Sequence, residues 1–209
     1  MQVKICGITN LVDAQAAVAA GADYLGFIFY PKSPRSVTLK KAIQIIINLK
    51  APVKKVGVFV NASSAEINNT ALICGLDIIQ LHGEEPAELA EQLGAERVWK
   101  AFHITSMADI ARAAEYPAAA IVVDTATAGL RGGTGKTCDW QLAAQAAQSF
   151  TTILAGGINS QNVLEAIATV KPFAIDVASG VEATPGIKDH KKIEKLFEKL
   201  EGKTLGDRN

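Results

Sequence analysis

Eight short apolar runs rich in Val and Ile recur along the chain, and segments with helical spacing lie between them. The runs are residues 3–6, 23–29, 55–60, 77–82, 97–102, 120–124, 151–157 and 173–180. Their apolar residues do not clearly alternate with polar ones, which is typical of strands buried on both faces of a parallel sheet. Eight strand–helix units spaced about 20 to 30 residues apart predict an α/β protein, a single-domain (β/α)8 TIM barrel.

The helical segments carry their own start and stop signals. In the first, Asn10 or Thr9 is placed to cap the helix and Gly21 to end it. The alternative fold, an open doubly wound sheet, usually has a Gly-rich loop after its first strand, and "CGITN" contains none. We expect the barrel to occupy residues 1–200, followed by a frayed tail at 201–209.

The charge balance argues against two classes of partner. Lys plus Arg number 21 and Asp plus Glu number 21, so the net charge is zero. This gives no electrostatic footprint for nucleic acid or for an anionic membrane, and we expect neither as a partner. The chain lacks an apolar run of transmembrane length and an N-terminal signal peptide, which predicts a cytoplasmic protein.

Cysteine and histidine are both sparse and scattered. No two of the three cysteines have C-x-x-C spacing, which argues against a disulfide framework or a structural zinc site. The three histidines are equally dispersed, so we expect no metal site. The cysteines are Cys6, Cys74 and Cys138.

The run "GLRGGTGKT" at residues 129–137 ends as a nucleotide-binding P-loop does. A P-loop reads G-x-x-x-x-G-K-[ST], which would require glycine where the chain has Leu130. Since backbone N–H groups wrap a phosphate in a ring of fixed size, this slip of one residue removes the nucleotide-binding signal. Anion binding and a flexible loop both stay open for this run.

Several polar residues fall where the predicted strands end, which is where these barrels have their active sites. Cys6 ends the first strand, Gln80 and His82 the fourth, and Asp124 the sixth, while Asp176 lies in the eighth. On the residues alone, Cys6 also suits a buried structural thiol and Asp124 a helix cap.

Small residues follow the last two strands. Gly156 and Gly157 come after the seventh strand, and Ser179 and Gly180 after the eighth. Such barrels commonly bind a phosphate at these loops through backbone N–H groups, although the glycines could serve tight turns only.

Motifs in nearly every unit resemble those of the phosphoribosylanthranilate isomerases of tryptophan biosynthesis. They are "KICGIT", "GFIFYPKSPR", "VGVFVN", "QLHGEE", "GGTGKTCDW", "LAGGIN" and "DVASGVE", in order along almost the whole chain. The chain departs from the family pattern at Cys138, which usually is aromatic, and at Ala178, which often is Ser or Asn.

This resemblance implies an Amadori rearrangement of a small phosphosugar substrate without cofactor or metal. We expect a monomer or a homodimer. It assigns Cys6 as the base that removes the C2′ proton and Asp124 as the acid that protonates the furanose oxygen. For these roles we expect the pKa of Cys6 to lie below its ordinary value and that of Asp124 to lie above.

The resemblance also assigns binding roles. Arg35 is expected to hold the anthranilate carboxylate with a two-pronged fork. Gln80 and His82 are expected to line the pocket, and Asp176 either binds a sugar hydroxyl or braces the phosphate loop. The run 129–137 is expected to form a lid over the barrel mouth.

Three other functions suit the residues less well than the isomerase does. Indole-glycerol-phosphate synthase uses a lysine and glutamates at strand ends, and no such set is evident here. A nucleotide hydrolase would need the P-loop spacing. A non-catalytic phosphosugar-binding barrel would be expected to have lost Cys6 or Asp124, and both are present.

Overall fold

The computed structural model describes residues 1–124 and 140–206. The run 129–137, with its predicted role as a lid, and Cys138 lie outside these residues. Within the described ranges, no helix is long and apolar enough to cross a membrane.

Eight parallel strands pair in chain order and close into a barrel, which confirms the predicted fold. Each predicted run overlaps one strand. The strands are β1 (Gln2–Cys6), β2 (Tyr24–Ile28), β3 (Lys54–Phe59), β4 (Ile78–Leu81), β5 (Val98–His103), β6 (Ala120–Asp124), β7 (Thr152–Ala155) and β8 (Ala174–Val177). The barrel closes where β1 pairs with β8, with Lys4 opposite Asp176.

Helices connect the strands and cover the outside of the barrel. They are α1 (Leu11–Ala19), α2 (Leu39–Leu49), α3 (Ser64–Cys74), α4 (Ala87–Leu93), α5 (Met107–Ala114), α6 (Trp140–Ser149), α7 (Val163–Val170) and α8 (His190–Gly206). Of the two candidate caps for α1, Asn10 accepts a hydrogen bond from the Asp13 amide, while Thr9 donates to the Gly186 carbonyl.

The last helix passes the predicted end of the barrel at residue 200. It continues to Gly206, since Gly202 does not adopt the left-handed φ of a helix-terminating glycine. Helical structure therefore includes the first part of the segment 201–209 that the sequence suggested was frayed.

A hairpin after β8 was not predicted. A 3₁₀ turn at Ser179–Val181 leads into two antiparallel strands, β9 (Glu182–Thr184) and β10 (Ile187–Lys188). Gly186, with φ of 84°, allows the chain to turn between them. This hairpin brings two charged side chains, Glu182 and Lys188, back to the first strand.

The core has two layers. The larger one packs strands against helices, and a smaller cluster, built from strand residues alone, fills the barrel interior. In that cluster Tyr24 and Trp99 pack edge to face with their ring centroids 5.0 Å apart. These side chains fill the barrel interior below the carboxyl ends of the strands, and open space remains at those ends.

Candidate active site

A cavity of about 530 Å³ opens at the carboxyl ends of the strands. The predicted site residues that line it are Cys6, Arg35, Gln80, His82, Asp124, Gly156, Gly157, Asp176 and Ser179. Gly180 is not among the lining residues. A Cβ at this position would overlap the carbonyl oxygen of Ile158. The close approach of two backbones therefore explains why residue 180 is a glycine, and its contact with a ligand stays a prediction.

One wall of the cavity is apolar. Ile28, Val58 and Val60 contribute branched side chains, and Tyr30 adds an aromatic ring. Ligand cavities of this size usually combine such a wall with a few polar groups that orient the ligand. The polar groups here come from three parts of the rim.

The first polar group lies where β1 meets β8. Lys4 is fully buried, and its Nζ lies 2.7 Å from Oδ2 of Asp176. Asp176 Oδ1 is buried and has no hydrogen-bond partner among the described residues. Because Cys6 follows Lys4 by two residues, both side chains project from the same face of β1.

The pKa of Cys6 contradicts the expectation from its role. Burial has the largest effect and raises the pKa of the thiol above its ordinary value. The positive charges of Lys4 and Lys188 lower this pKa, and the negative charge of Asp176 raises it. The net direction is upward, so the expected lowering was wrong. The sequence could not give this sign, since it depends on burial and on charges from other strands.

The second polar group lies above β4 and β6. Gln80 Nε2 donates to His82 Nδ1 over 3.0 Å, since an amide nitrogen can only donate. A neutral His82 therefore carries its proton on Nε2, which lies 3.7 Å from Oδ2 of Asp124. The arrangement points an N–H at the carboxylate that ends β6. Gln80 Oε1 is buried and has no hydrogen-bond partner among the described residues.

The third polar group consists of backbone amides after β7 and β8. The side-chain amides of Asn159 and Asn162 both donate to the Gly157 carbonyl, at 3.1 and 3.0 Å. The two asparagines thus fix the Gly157 carbonyl. The N–H of the same peptide group, which belongs to Ile158, points the opposite way because the peptide is trans. Among the described residues, the amides of Gly157 and Ser179 have no acceptor, and both residues line the cavity. Unpaired N–H groups of this kind suit an anion.

Arg35 is held by a carboxylate of the hairpin. Its Nε lies 2.9 and 3.1 Å from the two oxygens of Glu182, and its Nη2 lies 2.7 Å from one of them. Lys188 Nζ also binds Glu182, at 3.0 Å, and reaches the carbonyl oxygens of Cys6 and Ala178 at 2.6 and 3.2 Å. The network thus ties the loop after β2 to both strands at the barrel closure.

The charges of this network shift one another. Burial by itself would raise the pKa of Glu182, but Arg35 and Lys188 together hold it below its ordinary value. Burial lowers the pKa of Lys188, and Glu182 opposes that effect only in part. The pKa of Arg35 is raised, chiefly by its hydrogen bonds to Glu182.

Comparison with known proteins identifies the family. The family model described as N-(5'phosphoribosyl)anthranilate (PRA) isomerase matches residues 3–199. The chain belongs to the phosphoribosylanthranilate isomerase family. It is therefore an isomerase, and the resemblance noted in the sequence is confirmed.

Three relatives are similar over nearly their full lengths. The N-(5'-phosphoribosyl)anthranilate isomerase of Geobacter sulfurreducens is 45% identical over 202 residues, which is 97% of this chain and 99% of that protein. A phosphoribosyl anthranilate isomerase solved with reduced 1-(o-carboxyphenylamino)-1-deoxyribulose 5-phosphate is 43% identical, with a TM-score of 0.86 and coverage of 97% and 99%. A second structure, of monomers generated from the dimeric isomerase of Thermotoga maritima, is 45% identical, with a TM-score of 0.85 and the same coverage.

Three buried charged side chains next to the site were not identified from the sequence: Lys4, Glu182 and Lys188. Lys4 and Glu182 fall within the quoted motifs "KICGIT" and "DVASGVE", yet nothing in the motifs gives them a role. A lysine inside an otherwise apolar strand was the available signal for Lys4, because a buried charge requires a partner.

A metal site was not expected, and the described residues hold no group of three His, Cys, Asp or Glu side chains that could bind one. The polar atoms at the rim are amides, single carboxylates, a thiol and a guanidinium. They suit an organic anion, with acceptors for its hydroxyl groups.

Proposed function

We propose that the chain catalyses the Amadori rearrangement of N-(5-phosphoribosyl)anthranilate to 1-(2-carboxyphenylamino)-1-deoxyribulose 5-phosphate, a step of tryptophan biosynthesis. One observation carries the mechanism: Cys6 at the end of β1 and Asp124 at the end of β6 line the same cavity. The strands β1 and β6 are not neighbours, so a substrate lying between the two residues can meet an acid on one side and a base on the other.

The rim offers a place for each part of the substrate. The amides after β7 and β8 suit the phosphate, which is where these barrels commonly bind one. The apolar wall of Ile28, Val58 and Val60 suits the anthranilate ring. The unpartnered oxygens of Gln80 and Asp176 are acceptors for ribose hydroxyl groups.

Arg35 can still hold the anthranilate carboxylate while it is bound to Glu182. The ion pair occupies one edge of the guanidinium, formed by Nε and one hydrogen of Nη2. The end of the group, with both hydrogens of Nη1 and the second hydrogen of Nη2, can form two parallel bonds to a carboxylate. Glu182 thus fixes the orientation of the fork that receives the substrate.

The first step is ring opening. Asp124 gives its proton to the furanose oxygen, the C1′–O bond breaks, and the nitrogen lone pair forms a protonated Schiff base with C1′. The N–H of His82 lies near the carboxylate and is placed to stabilise the negative charge that Asp124 acquires.

The second step is proton abstraction. The thiolate of Cys6 removes the proton from C2′, and the C–H electrons form a C1′=C2′ double bond while the iminium nitrogen becomes neutral. The resulting enolamine takes a proton at C1′ and loses the proton of its C2′ hydroxyl group, which gives the ketone. Since burial raises the pKa of Cys6, we expect the rate to increase with pH as the thiol ionises.

The test measures turnover directly. Phosphoribosylanthranilate is generated in situ, and its consumption is followed by anthranilate-type fluorescence against the spontaneous decay without enzyme. We expect Cys6→Ala and Asp124→Asn each to lower kcat by about 10²- to 10⁴-fold with the fold intact. The matched controls are Cys74→Ala, which removes a buried thiol outside the cavity lining, and Asp77→Asn, which changes a carboxylate just before β4.

No acceleration by the unmodified protein would overturn the proposed activity. Near-native turnover in either variant would remove that residue from its role while leaving the activity in place. A cytoplasmic location, a monomeric or homodimeric state and independence from any cofactor stay predictions.

A further inference from the structure

Lys4 is a buried lysine that the mechanism above does not use. Its side chain is 0% exposed, and it is not among the residues that line the cavity. A charged amine in a barrel interior is destabilising unless other groups compensate it. The carboxylate of Asp176 does so through Oδ2, yet this leaves unexplained why a charge pair lies directly beneath the reactive thiol.

Gly26 shows how closely Lys4 and Cys6 approach each other. A Cβ at this glycine of β2 would come within 2.7 Å of Cys6 Sγ and 3.1 Å of Lys4 Cε. The two side chains therefore pack against the same face of residue 26, in space that only a glycine leaves open. The ammonium at the end of the Lys4 side chain is thus positioned beside the sulfur.

The charges that face Cys6 come from four elements. Lys4 on β1 and Lys188 on β10 are positive and favour the thiolate, whereas Asp176 on β8 is negative and opposes it. Arg35, on the loop after β2, also interacts with the Cys6 charge. Of these groups Lys4 has the largest effect on the thiol, and Asp176 has the next largest.

We propose that Lys4 is a positioning residue for Cys6: its buried ammonium stabilises the thiolate that removes the substrate proton, and Asp176 holds that ammonium in place. The inference rests on the proposed function, because it assigns Lys4 a task in generating the base. It also gives the two carboxylate oxygens of Asp176 separate roles. Oδ2 accepts from Lys4, and Oδ1 is available to accept from a substrate hydroxyl. A hydroxyl bound at Oδ1 draws charge from the carboxylate and so strengthens the effect of Lys4 on the sulfur.

The first test measures ionisation of the thiol without turnover. Protein labelled with ¹³C at the cysteine β-carbons is titrated by NMR, and the Cys6 resonance is assigned by its loss in Cys6→Ser. We expect Lys4→Met to raise the pKa of Cys6 by about one unit or more, and Asp176→Asn to lower it. Opposite shifts from two substitutions in one ion pair cannot result from general loosening of the barrel.

Lys100→Met is the matched control. Lys100 is another buried strand lysine, on β5, and its Nζ lies 3.0 Å from Oε2 of Glu85. We expect this variant to leave the Cys6 titration unchanged. If Lys4→Met does not fold, Asp176→Asn is compared with the double variant Lys4→Met/Asp176→Asn, which contains no unpaired buried charge from this ion pair.

The second test uses activity. Because Lys4 does not line the cavity, Lys4→Met should lower kcat and move the acid limb of its pH profile upward while KM changes little. The inference is overturned if the pKa of Cys6 in Lys4→Met is the same as, or lower than, that in the unmodified protein. It is also overturned if the double variant shows no higher Cys6 pKa than Asp176→Asn does. If the unmodified protein fails to isomerise phosphoribosylanthranilate, the proposed function fails, and the NMR titration still decides the role of Lys4.

Discussion

Replacing Glu182 by Gln should destabilise the protein far more than loss of an ordinary surface ion pair. The Glu182 side chain is 4% exposed and accepts hydrogen bonds from Arg35, Lys188 and the Gly186 amide. Glutamine keeps the size and one acceptor oxygen but removes the negative charge. The fully buried ammonium of Lys188 then loses its ion-pair partner.

The magnitude follows from the burial of each cation. Arg35 is 23% exposed, so water compensates part of its loss, whereas Lys188 is 0% exposed and has no such compensation. Removing one partner of a buried pair typically costs about 3–5 kcal/mol. We expect the lower end, about 3 kcal/mol, because the glutamine oxygen can still accept from one cation.

Urea denaturation at neutral pH, followed by circular dichroism, measures this difference. The matched control is Lys55→Gln, which breaks the Lys55–Asp77 pair, whose side chains are 25% and 42% exposed; its expected cost is about 0–1 kcal/mol. A loss in Glu182→Gln no larger than that of the control would refute the reasoning.

The pH dependence provides a second check on Glu182. Its pKa is lowered on folding, so its stabilising contribution is fully present above the ordinary value of 4.5 and is lost as the pH falls through the lowered value. Glutamine does not titrate. The stability difference between the unmodified protein and Glu182→Gln should therefore narrow as the pH falls below 4.5, and a difference that widens there would contradict the assignment.

Two further predictions concern the packing of glycines and the binding of substrate. Gly180→Ala should lower the free energy of unfolding, measured by urea denaturation, by about 1–3 kcal/mol, because its Cβ would overlap the Ile158 carbonyl. Gly202→Ala in α8 is the control: nothing lies near its Cβ, so the free energy of unfolding should rise by about 0.5–1 kcal/mol. Arg35→Ala should weaken substrate binding by about 1.5–3 kcal/mol, measured as a higher KM, and unchanged kcat and KM would show that the carboxylate is bound elsewhere.

The sequence was sufficient for the fold because each β/α unit carries its own local signal. Apolar strand runs and helix caps such as Asn10 are readable within one unit, and their repetition leads to the barrel. Cys6 and Asp124 were locatable for the same reason: each ends a recognisable strand, and the ends of all the strands meet at one rim.

What the sequence could not supply depends on contacts between distant units. Lys4 meets Asp176 across 172 positions, and no local pattern shows that the lysine is paired. The direction of the Cys6 pKa has the same origin, because it is the balance of burial against charges on β1, β8 and β10. The hairpin was missed since β9 and β10 are too short to give a strand signal.

The bond from Lys188 to the Cys6 carbonyl has a consequence for the order in which a newly made chain acquires its site. The two residues are 182 positions apart, and the strands that form the barrel closure, β1 and β8, are the first and the last of the eight. A ribosome releases Cys6 long before it releases Lys188. The carbonyl of Cys6 can therefore gain this hydrogen bond only after the hairpin that follows β8 has emerged.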